Sequence, residues 1–384
     1  MQGTFLLTLR RACDIIFKKG GSILRYVLED EKYKFKYAFD TKTGAYVRSG
    51  VLDENGKDTG ENPFMASFPH LIDVGIMGHC THGKLGLCTK AGVECYQSGL
   101  FIDEPNMPYS DFERIALECR GKVNQFALGG RGDPDQHEDF KKILRLCKRC
   151  GIVPNFTTSG YGMTPTIAEL CARYCGAVAV SWYRSEYTLR AIDMLIKAGV
   201  TTNIHYVLGN NTIDEATERL RNKNFPSGIN AVVFLLHKPQ GQGRQENVLS
   251  PSDPRTRAFF YEVDEGKHPF KIGMDSCCVP GLINYCNNVI PEAIDTCEGG
   301  RFSCYVSSDM KLLPCSFDTK RTYAVSLKEK SIEEAWRSEE FERFRASLRQ
   351  RCPECKLRAE CMGGCPLMPE VVLCEREEKR LTLG

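Results

Sequence analysis

Between about residue 70 and residue 270 the chain alternates short apolar runs with amphipathic ones, and no other feature limits its fold as much. The apolar runs are LIDVGIM, VNQFALGG, VPNFTTSG, AVAVSWY, TNIHYVLG and NAVVFLL; between them lie segments such as DFERIALEC, HEDFKKILRLCKRC, TIAELCARYC and EYTLRAIDMLIKAGV. Strands that alternate with helices of this length form βα units, and βα units in series build a parallel sheet. Parallel strands covered on both faces read as near-continuous apolar runs, as AVAV and AVVFLL do. The expectation is an α/β fold, either an open doubly wound sheet or a barrel, full or partial.

The flanks are different. Residues 1–69 carry a short helical pattern and then KYKFKYAFDTKTGAYVRSGVL, whose alternating aromatic and polar positions around Asp40 to Gly44 predict a β-hairpin. It is expected to form an edge ribbon covering the larger domain; as an edge strand, KYKFKYAF could pair with a leader segment of a peptide. Beyond residue 270 the periodicity stops, apart from one helix expected over SIEEAWRSEEFERFRASL. That tail holds eleven of the 20 cysteines. Dense cysteine with little periodicity predicts a region organised by metal rather than by a large apolar core. The expected units are therefore 1–69, 70–270 and 271–384.

Cysteine usage takes its meaning from the compartment. The start, MQGTFLLTLRRACDIIFKKGG, lacks the long apolar core and small-residue cleavage site of a secretory signal, and no run of about 18 apolar residues occurs. A cytoplasmic location without a membrane partner is expected, where thiols bind metal or do redox chemistry more often than they form disulfides. A formal net charge of +2 gives no field for nucleic acid, so none is expected as a partner.

Three constellations carry chemistry. The first, HCTHGKLGLCTKAGVECYQ, follows the first strand and spaces Cys80, Cys88 and Cys95 by seven and then six residues. Loops at strand C-termini build the active sites of parallel α/β folds. Three thiolates there can hold three irons of a 4Fe-4S cluster and leave the fourth open, while His79 and His82 keep a mixed Cys/His zinc site in view. The second is the strand-end set. In ALGGRGDPDQH, Gly129, Gly130 and Gly132 let the backbone approach a ligand, and Asp133 can accept hydrogen bonds from an amine, but the run is no dinucleotide fingerprint. NFTTSGYG adds Thr157, Thr158 and Ser159, AVSWYR adds Ser181 and Arg184, and HYVLGNN adds Val207 and Leu208. The third is CPECKLRAECMGGC, with Cys352, Cys355, Cys361 and Cys365 spaced by two, five and three residues and followed by Cys374; Cys297 and Cys315 lie upstream. A zinc ribbon is the competing reading of that segment. Cys147 shares an apolar helical stripe with Phe140, Ile143 and Leu144, and Cys171 and Cys175 are one helical turn apart, so these read as buried small hydrophobes.

Together, a three-cysteine loop after strand one, a Gly-Gly motif ending in Asp-Pro after strand two and polar later strand ends resemble the radical S-adenosylmethionine enzymes. The cysteine-rich tail resembles their SPASM domain, which binds two auxiliary 4Fe-4S clusters. The resemblance implies a partial (β/α)6 barrel with a small N-terminal hairpin region and a C-terminal iron–sulfur domain. It also implies three 4Fe-4S clusters: one on Cys80, Cys88 and Cys95; a first auxiliary cluster on Cys297, Cys315 and Cys365, with a fourth ligand chosen as Cys277 over Cys278 and Cys286, or a fourth iron left open to substrate; and a second on Cys352, Cys355, Cys361 and Cys374. S-adenosylmethionine would meet Gly129 to Asp133 with its methionyl amine, Ser159, Ser181 and Arg184 with its ribose and carboxylate, and Val207 with its adenine. The implied activity is reductive cleavage of S-adenosylmethionine and hydrogen abstraction from a ribosomally made precursor peptide, giving a crosslinked or oxidised product. A flavodoxin or ferredoxin would donate electrons. The competing functions are the same initiation chemistry on a small metabolite or nucleic acid, and a zinc-stabilised binding module. The chain departs from the common family pattern in its wider cysteine spacing, in Glu94 standing before Cys95 with Tyr96 after it, and in Met310 standing where the SPASM motif has glycine.

Overall fold

The computed structural model describes residues 26–41, 44–289, 294–350 and 352–375; the amino-terminal helical pattern and turn positions 42 and 43 lie outside them. Three antiparallel strands come first, β1 (Tyr26–Asp30), β2 (Phe35–Phe39) and β3 (Tyr46–Arg48), in the order β1-β2-β3. The β2–β3 pair is the predicted hairpin, and Gly44 takes φ 71° while its N–H donates to Asp40 O at 2.8 Å. One expectation is corrected. KYKFKYAF is not an edge strand, because β2 is paired on both sides and β1, which the aromatic alternation did not announce, takes the edge.

The ribbon is a cover for the C-terminal region. Phe35, Tyr37, Phe39 and Tyr46 pack with Phe302, and buried Arg48 pairs with Asp295 and, at 3.2 Å, with Glu298. Removing one partner of such a buried pair strands the other charge, so the contact specifies how the ribbon sits.

All six apolar runs become strands in chain order: β4 (Leu71–Met77), β5 (Gln125–Gly130), β6 (Val153–Thr158), β7 (Val178–Ser181), β8 (Thr202–Leu208) and β9 (Ala231–Leu236). Each is parallel to the next, with helices between, as in a partial (β/α)6 barrel. On β4 the residues Ile72, Val74 and Ile76 are fully buried in the apolar core, which leaves Asp73 and Gly75 on the opposite face by the two-residue period of a strand.

The sheet does not stop at the six strands. β10 (Lys271–Met274) adds in parallel beyond β9, and β11 (Ser303–Val306) adds in parallel beyond β4, followed antiparallel by β12 (Lys311–Leu313) and β13 (Val325–Ser326). These runs of two to four residues are too short to show a period, so they were not foreseen. The helix expected over SIEEAWRSEEFERFRASL is two helices, Ile332–Trp336 and Glu339–Gln350. The first is opened by a capping box of Ser331 and Glu334, and Ser338 Oγ accepts from Phe341 N at 3.5 Å to start the second. Met310 takes φ 66°, a left-handed conformation that favours glycine, in the turn before β12. No described helix is long and apolar enough to cross a membrane.

Candidate functional site

The three-cysteine loop leaves β4 and folds against the strand ends. Cys80 caps a short helix, Thr81–Lys84, where its Sγ accepts from Gly83 N at 3.1 Å; Cys88 sits in a second, Leu87–Lys90, and Cys95 lies beside the backbone amides of Gly99, Gln97 and Ser98. Cys88 lies near enough to Cys80 and Cys95 to raise both electrostatically, and Cys95 near enough to raise Cys80. Burial pushes Cys80 up to about 12, with Cys95 and Cys88 adding to it, and burial likewise raises Cys95 with Cys88 adding. Such thiols lose their protons to a metal rather than to solvent. Close packing holds the loop: a Cβ on Gly99 would stand 2.8 Å from Cys80 Cβ, and one on Gly132 would stand 2.2 Å from His79 O.

Glu94, noticed in the sequence only as a departure, has a visible task. It accepts from Arg244 N and Asn247 Nδ2, each at 2.8 Å, and from Arg244 Nε, while Gln242 N donates to Cys95 O at 2.9 Å. The long cysteine loop is thus tied to the segment after β9, across the mouth of the barrel. His82 is occupied elsewhere: it is buried, hydrogen-bonds Tyr187 OH at 2.7 Å and is lowered to about 4 by burial.

A cleft of about 190 Å³ opens beside the loop, lined by Cys80, Cys95, Gly129, Gly130, Gly132, Asp133, Ser159 and Ser181 among others. The glycines divide the work. A Cβ on Gly130 would meet Met77 O at 2.5 Å, at a φ of 108°, whereas Gly129 faces open space where a ligand can approach. Asp133 is fastened to Ser159, accepting from its N–H at 2.7 Å and from its hydroxyl, and burial raises its carboxyl. Asp135 behind it is pushed up to about 7 by burial and by the Asp133 charge. Arg184 and Val207 line a side recess of about 50 Å³ that shares Ser181 and Tyr183 with the cleft. There Arg184 Nε donates to Glu215 Oε2 at 2.6 Å, and its backbone is left-handed at φ 60°.

The carboxyl-terminal thiols form two further sets. Cys277, Cys297, Cys315 and Cys365 line one cavity of about 20 Å³, which buried Cys304 of β11 also lines. Cys278 is instead turned toward Phe234 O (4.0 Å) and Cys286 toward Phe260 O (3.6 Å). Cys352, Cys355, Cys361 and Cys374 line a second cavity, of about 460 Å³. Among the described residues no three His, Cys, Asp or Glu side chains converge closely enough for a single metal ion, so each set surrounds a volume rather than a point. Soft thiolate donors around a volume suit an iron–sulfur cluster. Nineteen described cysteines are free thiols, and Cys147 and Cys171 are fully buried on helices.

Residues that sequence reasoning missed line the same cleft: Asp73, Tyr96, Gln97, Tyr305 and Ser316. The available signal was Asp73, a carboxylate inside an otherwise apolar strand. Tyr305 and Ser316 enter only because β11 lies beside β4.

Comparison with known proteins agrees with this geometry. Residues 297–362 match SPASM, an iron–sulfur cluster-binding domain. The structure is similar to SuiB of Streptococcus suis bound to S-adenosylmethionine, with a TM-score of 0.64 and 16% identity over 90% of this chain and 94% of that one. It is also similar to anSMEcpe with bound AdoMet, with a TM-score of 0.58 and 15% identity over 82% of this chain and 92% of that one. By sequence, the chain is 26% identical to the AdoMet-dependent heme synthase of Methanosarcina barkeri over 60% of its own length and 74% of the relative's. The chain has the fold of these radical S-adenosylmethionine structures, with a carboxyl-terminal segment that matches the SPASM iron–sulfur cluster-binding domain.

Proposed function

We propose that this chain cleaves S-adenosylmethionine reductively and abstracts hydrogen from a ribosomally made peptide, leaving it crosslinked or oxidised. The observation that carries the reading is the convergence of Cys80 and Cys95, with Cys88 close by, on one cleft with Gly129 to Asp133, Ser159 and Ser181. When bound to Cys80, Cys88 and Cys95, a 4Fe-4S cluster supplies the electron that breaks the sulfur–carbon bond of S-adenosylmethionine.

The residues do the rest. Gly129 leaves room for the cofactor's polar end against backbone, and Asp133 fixes Ser159 in the cleft lining through its amide and hydroxyl. Tyr183, half-buried and lining both cleft and recess, would help to exclude water from a bound cofactor. Cys277, Cys297, Cys315 and Cys365 would hold the first auxiliary cluster, and Cys352, Cys355, Cys361 and Cys374 the second. SuiB has been crystallised with its precursor peptide SuiA, and anSMEcpe with peptides, which supports a peptide substrate for this chain. An iron tetrapyrrole is the second reading, favoured by the Methanosarcina relative.

Anaerobic reconstitution with iron and sulfide, followed by reduction, tests the reading. We expect 5'-deoxyadenosine, and a mass change in a short peptide encoded beside the gene. Cys88→Ala should remove about four irons per chain and abolish cofactor cleavage. Cleavage retained in that variant refutes the assignment, and turnover of an iron tetrapyrrole but of no peptide selects the second reading.

A further inference from the structure

Asp73 is the strongest feature that the proposed chemistry leaves unused. It stands in the middle of β4, a strand whose other side chains are apolar, and a carboxylate in such a position is costly unless something pairs with it. Asp73 Oδ1 is buried and has no hydrogen-bond partner among the described residues. Asp275 is satisfied by Lys238 Nζ at 2.7 Å, Asp133 by Ser159, and Asp318 by the N–H groups of Thr322 and Tyr323; Asp135 and Asp295 also carry unpartnered buried oxygens, but neither lines the cleft.

Its position is as informative as its lack of a partner. Asp73 lines both the cofactor cleft and the small cavity of the first carboxyl-terminal thiol set, so it stands where the two adjoin. A substrate that reacts in the cleft and reaches toward those thiols passes this carboxyl. The basic side chains sharing the cleft are engaged elsewhere. Arg131 donates to Glu104 at 2.8 Å and to the carbonyls of Gln97 and Gly78, both at 3.0 Å, and His82 is held by Tyr187. The side chains around Asp73 in the cleft, Tyr96, Tyr305 and Ser316, are neutral. Burial raises the Asp73 carboxyl above the usual carboxylate range, a direction that a bound donor or cation would reverse.

We infer that Asp73 binds substrate: its carboxyl takes a hydrogen-bond donor of the peptide, an ammonium, hydroxyl or amide N–H, between the cofactor cleft and the first carboxyl-terminal thiol set. The inference rests on the peptide reading above and adds to it a chemical preference. Donor-bearing side chains are accepted next to the reacting carbon, and carboxylates are rejected by like charge and by the absence of a free cation in the cleft lining.

The test uses N-acetylated, C-amidated heptapeptides identical except for a central Lys, Ser, Gln, Ala or Glu, given to the iron-loaded full-length protein. The unsubstituted protein should show a KM for the Lys, Ser and Gln peptides at least about tenfold below that for Ala or Glu, since a buried polar group left unpaired discriminates strongly. Asp73→Asn should erase that ranking and Asp73→Glu should restore part of it, with iron per chain and circular dichroism reporting that each variant is folded. If the asparagine form does not load iron, Asp73→Ser replaces it. An unchanged ranking in the folded variant, or a preference of the unsubstituted protein for Glu, overturns the assignment. If the unsubstituted protein makes 5'-deoxyadenosine but modifies none of the peptides, the peptide reading fails and this assignment falls with it.

Discussion

The two carboxyl-terminal thiol sets share a donor type but not a construction. In the first, Cys277 follows β10, and Cys297 and Cys315 flank the β11–β12 pair; β10 is bonded to β9 and β11 to β4, so both edges of the barrel sheet hold this set. Its cavity is small and closed by Phe317 and Phe344. The second set rides on turns and a four-residue helix, Arg358–Cys361, around a much larger cavity whose rim includes exposed Leu357. A metal bound in the first set belongs to the cooperative unit of the barrel, whereas in the second it orders a segment with few long-range contacts.

Cysteine substitutions should expose the contrast most strongly. Cys315→Ala and Cys355→Ala are each expected to remove about four irons per chain. Cys355→Ala should leave 5'-deoxyadenosine formation in place while mature product falls more than about tenfold, the least expected when an electron acceptor is lost. Cys315→Ala should lower both, because its site shares a sheet with the cleft. Equal thermal melting losses in the two variants would erase the distinction.

Lys238→Met probes the same asymmetry without touching a thiol. Lys238 Nζ donates to Asp275 and, at 2.8 Å, to Leu236 O, in a buried pair beside Cys277. Removing the cation strands Asp275 and should cost about 3–5 kcal/mol in a denaturant titration. A loss under about 1 kcal/mol, the range of a surface pair, would show that the first set is not locked to the strand end.

Asp133→Ala serves as the cleft's own reference. It frees Ser159 from its anchor and should weaken S-adenosylmethionine binding by about 1–3 kcal/mol, measured by calorimetry on the loaded protein. An unchanged affinity would reduce GGRGDP to a turn.

The smallest expected effect is a pH slope. Burial pushes Cys80 up to about 12 and both Cys297 and Cys361 up to about 11 in the folded chain, against about 8.5 unfolded. A raised thiol favours the folded state below the unfolded value, and that contribution is lost as pH rises toward the folded one. The metal-free protein should therefore melt at lower temperature at pH 10 than at pH 8, while the loaded protein stays level. Cys297→Ser should flatten that slope, and a flat profile in the metal-free parent would contradict the burial of these thiols.

Local pattern was enough for the six parallel strands, though not for their closure toward a barrel. LIDVGIM is β4 to the residue, and the other apolar runs each contain their strand, because a buried parallel strand is apolar along its whole length. Cysteine spacing did not sort the tail thiols: it groups Cys365 with Cys352, Cys355 and Cys361, whereas Cys365 lines the cavity of Cys277, Cys297 and Cys315, as the resemblance to the SPASM domain implied. Where a signal depended on a distant neighbour, it was not legible. KYKFKYAF reads the same as an edge or a centre strand until β1 is beside it, and a helix read through Arg337 and Ser338 breaks because Trp336 turns in to donate to Ala66 O at 3.0 Å.

By itself, the sequence determined a parallel α/β sheet, a thiol loop at the end of its first strand and a cysteine-dense tail with little periodicity, all of which follow from composition and period over a few residues. Tertiary structure alone decided that Cys277, rather than Cys278 or Cys286, faces Cys297, Cys315 and Cys365. It alone laid β11 against β4, and so placed Tyr305 and Ser316 in the cleft beside Asp73. Adjacent cysteines differ only in the direction of their side chains, and a carboxylate's partners can come from any part of the chain. Both are set by what packs across the sheet, and no local window contains that information.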